Sequence, residues 1–118
     1  MKVVRNGEVA ESRADTPLFA GEAHASRLIT ADDGAAVTVS LVRFVDGGRN
    51  RFHTHTADQA LYITEGAGIV ATREEEHHVH AGDIVHVPAG EVHWHGAEPG
   101  KSMAHLSILP PCETRLAE

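Results

Sequence analysis

The stretch that decides the fold is Gly47–Gly66, which reads GGRNRFHTHTADQALYITEG. Alternate side chains of an extended strand point to the same side, so His53 and His55 are expected to project together from one face. Two imidazoles at positions i and i+2 can bind one ion at adjacent coordination positions. Gln59 follows after a short segment that can turn the chain, and it offers a neutral side-chain oxygen. This stretch therefore predicts a metal site built on short strands.

A fourth candidate ligand lies in a separate stretch. His93 follows the turn Pro88–Gly90, which is expected to lead into a new strand. A single histidine on a strand is usually solvated or hydrogen-bonded, and a His-x-His pair alone is weak evidence for a metal. The pair combined with Gln59, flanking glycines and His93 is much stronger evidence for a metal site, because metal geometry requires donors on rigid elements. We therefore expect His53, His55, Gln59 and His93 to hold one metal ion.

The rest of the chain is predicted to be β-structure. Short runs rich in β-branched residues alternate with turn residues at near-regular spacing, which is typical of an antiparallel sandwich or barrel. The predicted strands are residues 36–45, 60–64, 68–73, 77–80, 83–87 and 103–109. Asp46–Gly48 and Glu65–Gly66 are predicted turns. No segment has a convincing helical pattern, and residues 7–14 are expected to form a loop or an edge strand.

Composition limits the classes of function. The chain has 118 residues and a formal net charge of -7, which predicts one domain and argues against nucleic-acid binding and against an anionic membrane surface. The start lacks an apolar run long enough for a signal peptide, and the single Cys112 allows no internal disulfide. We therefore expect a cytoplasmic protein. Residues 1 to about 16 and 110–118 are expected to be arms over the surface or across a partner subunit.

The spacing of these residues resembles that of the cupin family. The first cupin motif, G-x5-H-x-H-x3,4-E-x6-G, is matched over residues 47–66 by Gly47, His53, His55, Gln59 and Gly66, with Gln in place of Glu. The second motif, G-x5-P-x-G-x2-H-x3-N, is matched over residues 82–97 by Gly82, Pro88, Gly90 and His93, with Ala97 in place of Asn. The resemblance implies an all-β fold, a single antiparallel jelly-roll barrel over residues 1–118 with the metal inside it, commonly as a homodimer.

The glutamine at position 59 makes the resemblance more specific. Gln59, the run His93-Trp94-His95 and the later His105 make the chain similar to small bacterial cupins that include manganese-dependent hydroxynitrile lyases. The likeness implies one divalent transition metal per chain, with manganese favoured. Imidazole and amide donors also suit iron, nickel, cobalt and zinc. A histidine matching His105 lies near the open metal positions in such proteins, which makes His105 a candidate catalytic acid/base.

The predicted ligands also suggest a kind of chemistry. Three neutral imidazoles and the neutral amide of Gln59 would leave the full charge on a divalent ion, which raises its Lewis acidity and weakens its retention. We expect a lyase-type enzyme that cleaves a carbon–carbon or carbon–oxygen bond of a small organic substrate without net redox. Two alternatives stay open: a dioxygenase that uses iron or another redox metal, and a non-catalytic small-molecule binding module.

The remaining histidines and aromatic residues carry weaker expectations. His95 shares a strand face with His93, so it either lies next to the metal ligands or has a structural role. His77, His78 and His80 are expected to form a solvated hairpin in preference to a second metal site. An apolar pocket is expected to be walled by Phe44, Phe52, Val39 and Leu41.

Overall fold

The computed structural model describes residues 1–117, nearly all of which lie in β-strands or in the turns between them. In chain order the strands are β1 (Ser12–Arg13), β2 (Phe19–Ile29), β3 (Thr38–Asn50), β4 (His53–His55), β5 (Gln59–Ala71), β6 (Glu76–His80), β7 (Ile84–Val87), β8 (Trp94–Ala97), β9 (Met103–Leu109) and β10 (Thr114–Leu116). One short 3-10 turn, Ala31–Asp33, separates β2 from β3. The all-β prediction is confirmed. Within the described residues no helix is long and apolar enough to span a membrane.

Eight of these strands form one antiparallel sheet that closes into a barrel. β3 pairs with β2, β9 and β8, and β5 pairs with β9, β8, β7 and β6. Because β8 and β9 each pair with both β3 and β5, these strands form a closed ring and the sheet curls around a common interior. The two remaining strands, β4 and β10, form a separate two-stranded sheet.

Two segments that were predicted to be turns are bends inside long strands. β3 continues through Asp46–Gly48, where Asp46 and Gly47 have φ values of 49° and 76°. β5 continues through Glu65–Gly66, where Gly66 has a φ of 77° and the register against β9 shifts. The turn predictions are therefore wrong at both places. A bulge bends a strand without ending it, so one strand can pair with different neighbours along its length.

Both terminal arms lie on strands of the same chain. β1 lies at the edge of the barrel sheet against β2, and the rest of residues 7–14 lies outside any strand, so the prediction of a loop or an edge strand there is confirmed. The C-terminal arm forms β10, which pairs along its whole length with β4. Glu118, the last residue of the predicted arm 110–118, lies outside the described residues.

The barrel interior is filled by inward-facing apolar side chains. The main core cluster contains Ala23, Val42, Phe44, Leu61, Ile63, Val70, Val79, Ala97 and Met103. Full burial of a large member of this cluster contributes roughly 1.5–3 kcal/mol to stability.

The expected pocket of four apolar residues is not formed. Phe44 lies in the main core, whereas Phe52 packs against a second small cluster that includes Trp94. Val39 and Leu41 lie on the opposite face of β3 from Phe44, because alternate residues of a strand point to opposite faces. Phe44 is therefore the one member of the expected set in the main core.

Candidate metal centre

Three histidines converge beside strand β4. His53 and His55 project from the same side of β4, and a backbone bridge joins His93 to His53 with N···O distances of 3.0 and 3.1 Å. The ring centroid of His53 lies 4.9 Å from that of His55 and 4.3 Å from that of His93. One ring nitrogen of each histidine lies within 4.8 Å of the others. Among residues 1–117 this is the group that could hold a metal ion.

Backbone oxygens fix the orientation of two of these rings. Nδ1 of His53 lies 2.6 Å from the carbonyl oxygen of Arg51, and Nδ1 of His93 lies 2.9 Å from that of Glu91. A carbonyl oxygen can only accept, so each Nδ1 must carry the proton and donate it. The lone pair is therefore on Nε2 of both rings. This arrangement, with the outer nitrogen donating to an oxygen, is the usual one for metal-binding histidines.

The third ring fits a metal ion even more clearly. Nδ1 of His55 lies 2.9 Å from the hydroxyl oxygen of Thr114, which can accept a proton from that nitrogen or donate one to it. Its Nε2 is buried and has no hydrogen-bond partner within the described part of the chain. A buried nitrogen without a partner costs free energy unless something satisfies it. A cation bound between the three rings would do so, which makes this donor set suitable for a metal.

Gln59 places its amide oxygen next to the same group. The amide nitrogen donates to the hydroxyl of Ser107 at 2.8 Å, and the amide oxygen lies 3.3 Å from Nε2 of His93. Two atoms this close together could both be ligands of one ion. The structure therefore brings all four sequence-predicted ligands together, with Gln59 only 3% exposed.

Burial keeps the imidazoles neutral. Removal from water lowers the pKa of His53 to about 3 and that of His55 to about 4, and it also lowers the pKa of His93. A free histidine has a pKa of about 6.5, so below that pH protons compete with a metal ion for its lone pair. In the folded protein this competition moves to lower pH, so all three lone pairs are available at neutral pH.

We expect the metal-free protein to lose stability as the pH falls from about 6.5 to about 5, because the unfolded histidines bind protons that the buried ones do not. Each ring that stays neutral in the native state lowers the free energy of unfolding by up to about 1.4 kcal/mol per pH unit in this window. Five buried rings have a lowered pKa, namely those of His53, His55, His93, His95 and His105. Urea unfolding of chelator-treated protein at several pH values measures the effect.

Most carboxylates titrate below about 4.5, so this pH window isolates the histidines. The contribution of the neutral buried histidines to stability is complete above the pKa of histidine in the unfolded chain, and it decreases as the pH falls below that value. A free energy of unfolding that stays constant across the window would contradict the neutral state of the buried rings.

His95 lies close to two of the three rings and also to the ring of His105. Its ring centroid lies 5.7 Å from that of His53, 5.6 Å from that of His93 and 4.7 Å from that of His105. The backbone N–H of His95 donates to the side-chain oxygen of Asn50 at 2.9 Å. His95 therefore lies directly beside the candidate ligands.

His105 lies behind His95 in the barrel interior. It is fully buried, and its Nε2 lies 2.9 Å from Nδ1 of His95. Its ring also packs against Phe44 at a centroid distance of 5.6 Å. Nδ1 of His105 is buried without a hydrogen-bond partner in residues 1–117, and burial lowers the pKa of the ring to about 4. Burial disfavours the protonated ring at neutral pH, so a proton that Nδ1 takes up would be released readily.

A cavity adjoins the candidate ligands. It has a volume of about 130 Å³, borders His93 and is partly walled by Val85 and Val87. Ser107, whose hydroxyl accepts from the amide of Gln59, is half-buried, as is its strand partner Ser40.

Sequence reasoning missed three residues that support the candidate ligands. Ser107 shares a strand face with His105, so its position at i+2 could have indicated a place in the same interior. Asn50 and Thr114 carry no such local signal. Asn50 ends a different strand from His95, and Thr114 is 59 positions from His55.

Three further histidines lie on the exposed strand β6. His77 and His78 are exposed on β6 and lie near the carboxylates of Glu75 and Glu98 at 3.3 and 3.2 Å, respectively. His80 is exposed at the end of the same strand. The prediction of a solvated hairpin is confirmed.

The fold and this buried group define a small antiparallel barrel with a histidine cluster suited to a metal ion. The family model described as Cupin domain matches residues 40–109. The chain belongs to the cupin family.

Individual relatives agree with this assignment. An (R)-mandelonitrile lyase of Granulicella tundricola is 39% identical over 112 residues, which is 92% of this chain and 83% of the relative. The crystal structure of a cupin-like protein of Thermotoga maritima has a TM-score of 0.81 and 31% identity, covering 86% of this chain and 82% of that one. An acireductone dioxygenase of Parvibaculum lavamentivorans is 33% identical over 79% of this chain, which spans only 56% of that relative.

Proposed function

We propose that this cupin is a metal-dependent lyase that cleaves the carbon–carbon bond of a small α-hydroxynitrile, releasing an aldehyde and hydrogen cyanide. The observation that carries the proposal is the uncharged donor set. The group of described residues suited to an ion consists of three histidines without a carboxylate, and Gln59 adds a neutral oxygen beside it. The similarity to an (R)-mandelonitrile lyase over 92% of the chain supports the same reaction class.

The proposed ligands are His53, His55, Gln59 and His93. They would hold one divalent transition metal, with manganese favoured and with iron, nickel, cobalt or zinc also compatible with imidazole and amide donors. A bound divalent ion supplies Lewis acidity that lowers the pKa of a hydroxyl group it contacts. The neutral ligands offset none of that positive charge, which suits a reaction that begins with loss of a hydroxyl proton.

The proposed role of His105 is to hold that proton. Cleavage of an α-hydroxynitrile requires that the hydroxyl proton leaves, that the C–CN bond breaks with its electrons on cyanide, and that cyanide takes up a proton. His105 can donate Nε2–H to His95 and keep a lone pair on Nδ1, so it could accept the hydroxyl proton and return it to cyanide. Atoms and electrons balance without an oxidant, so no net redox change occurs.

A second candidate is a dioxygenase. The similarity to an acireductone dioxygenase over 79% of this chain favours it, and the same four donors could hold a redox-active metal. A non-catalytic binding module is less well supported, because binding alone does not require four buried donors around one point.

Product analysis with racemic mandelonitrile separates these functions. In mildly acidic buffer, which slows spontaneous decomposition, we expect benzaldehyde and cyanide in equal amounts, no oxygen uptake and preferential loss of the (R)-enantiomer. Ultraviolet absorbance, a cyanide assay and an oxygen electrode measure the three quantities. Oxygen uptake that matches substrate loss would favour the dioxygenase instead. Failure to cleave any α-hydroxynitrile would contradict the lyase.

We further propose that residues 1–118 form one domain and that the protein is a cytoplasmic bacterial homodimer. An apolar row across the outer face of the barrel sheet supports the dimer. Ile84 pairs with Tyr62, Tyr62 with Leu106, and Leu106 with Leu41. Ile84 is 72% exposed and Tyr62 is 41% exposed. A surface of this kind is suited to contact with a second copy.

A further inference from the structure

The C-terminal strand lies directly on the strand that carries two candidate ligands. In the β10–β4 ladder, Thr114 is opposite His55 and Leu116 is opposite His53. Further backbone hydrogen bonds extend this pairing beyond the ends of the ladder, from Thr56 to Glu113 at 3.0 Å and from Ala117 to Phe52 at 2.9 Å. Residues from the far end of the chain therefore complete the sheet on which the ligands lie.

The candidate ligands differ in how their rings are oriented. His53 and His93 each donate to a backbone oxygen two residues earlier in the chain, so their orientation depends on local backbone geometry. The ring of His55 is instead hydrogen-bonded to the side chain of Thr114, which is 59 positions away. Among the three histidines, His55 is the one whose orienting contact requires a distant segment to be docked.

The contact with Thr114 allows the tautomer that a metal ligand needs. When the hydroxyl oxygen accepts from Nδ1–H, the lone pair is on Nε2, which is the buried nitrogen without a partner. Without the hydroxyl, the proton could move to Nε2 or the ring could rotate. Either change would take the Nε2 lone pair away from the ion. His55 is 8% exposed, so water has little access to replace the lost contact.

We propose that Thr114 is a positioning residue for the metal ligand His55, and that the C-terminal strand thereby controls how tightly the ion is retained. This inference rests on the proposed ligand set but not on the proposed reaction. Thermodynamic linkage makes the effect reciprocal, so a bound ion would also stabilise the docking of β10 onto β4.

Point variants of the full-length chain test this role. We expect Thr114→Val, which has nearly the same shape but no hydroxyl, to weaken Co²⁺ binding about 10–100-fold. Thr114→Ser keeps the hydroxyl and should restore most of the affinity. Arg115→Ala is the matched control, because its side chain is exposed on the same strand and bonds to Glu113. Titration of chelator-stripped protein with Co²⁺, in competition with a chromophoric chelator, gives the dissociation constants.

Equal affinity of Thr114→Val and the wild type would overturn the proposal, as would equal weakening in Thr114→Val and Thr114→Ser. Nitrogen-15 NMR of the metal-free wild type provides a test that needs no variant. The proposal requires the proton of His55 on Nδ1, and a proton on Nε2 would overturn it. A wild type that binds no Co²⁺ would contradict the metal site itself, whereas the NMR result would still decide whether Thr114 orients His55.

Discussion

Replacement of His53 with alanine is expected to remove the bound metal almost completely. His53 is 1% exposed, and its ring centroid lies 4.9 Å from that of His55 and 4.3 Å from that of His93. Its loss leaves two imidazoles and one amide, so affinity should fall by more than the 10–100-fold typical of losing an orienting partner. Elemental analysis of protein purified without an affinity tag measures this. The wild type should contain close to one transition metal per chain and His53→Ala close to none.

A surface histidine provides the matched control for this experiment. His78→Ala also removes one imidazole, but His78 is exposed and lies beside Glu98, away from the candidate ligands. Its metal content should equal that of the wild type. Retention of the metal by His53→Ala, or its loss from both variants, would contradict the assignment. Near-ultraviolet circular dichroism shows whether His53→Ala keeps its tertiary structure.

The second large effect is expected at His105. His105→Gln keeps a neutral side chain of similar size that can still bond to His95, but it removes the imidazole that could hold a proton. We expect turnover of an α-hydroxynitrile to fall about 10²–10⁴-fold, which is typical for loss of a general acid or base. Metal content should stay unchanged, because His105 contacts His95 and Phe44, neither of which is a proposed ligand.

The effect at His105 can be distinguished from simple structural damage. A lost proton carrier should lower kcat with little change in KM and should alter the pH profile. His80→Gln, at the exposed end of the β6 strand, is the control and should behave as the wild type. Full turnover by His105→Gln would show that another group holds the proton. Loss of metal together with turnover would assign His105 a structural role.

The family and the all-β fold could be predicted because they depend on local spacing. Side chains two residues apart on a strand share a face, so the placement of His53 and His55 followed directly from their positions. The turn at Asp46–Gly48 was mispredicted for a related reason. Residues that allow a positive φ suit both turns and bulges, and only pairing with distant strands distinguishes them. β2 was missed because FAGEAHASRLI has no regular alternation of polar and β-branched residues.

Features that depend on distant pairing could not be predicted. The contact from Thr114 to His55 exists because β10 returns to β4, and nothing near Thr114 in sequence indicates that return. The placement of His95 next to His53 and His105 also required the pairing of β8 and β9 with other strands. The four candidate ligands could be predicted from the sequence, whereas the side chains that orient them were found only in the structure.

The most direct test of a metal-dependent lyase is cyanide release from (R)-mandelonitrile, measured without oxygen, before and after metal removal. We expect activity in the protein as purified, loss of activity after chelation, and recovery when Mn²⁺ is restored. Dependence on metal without dependence on oxygen follows from a Lewis-acid role for the centre built on His53, His55, Gln59 and His93. Cyanide release that is unaffected by chelation, or that requires oxygen, would contradict that role.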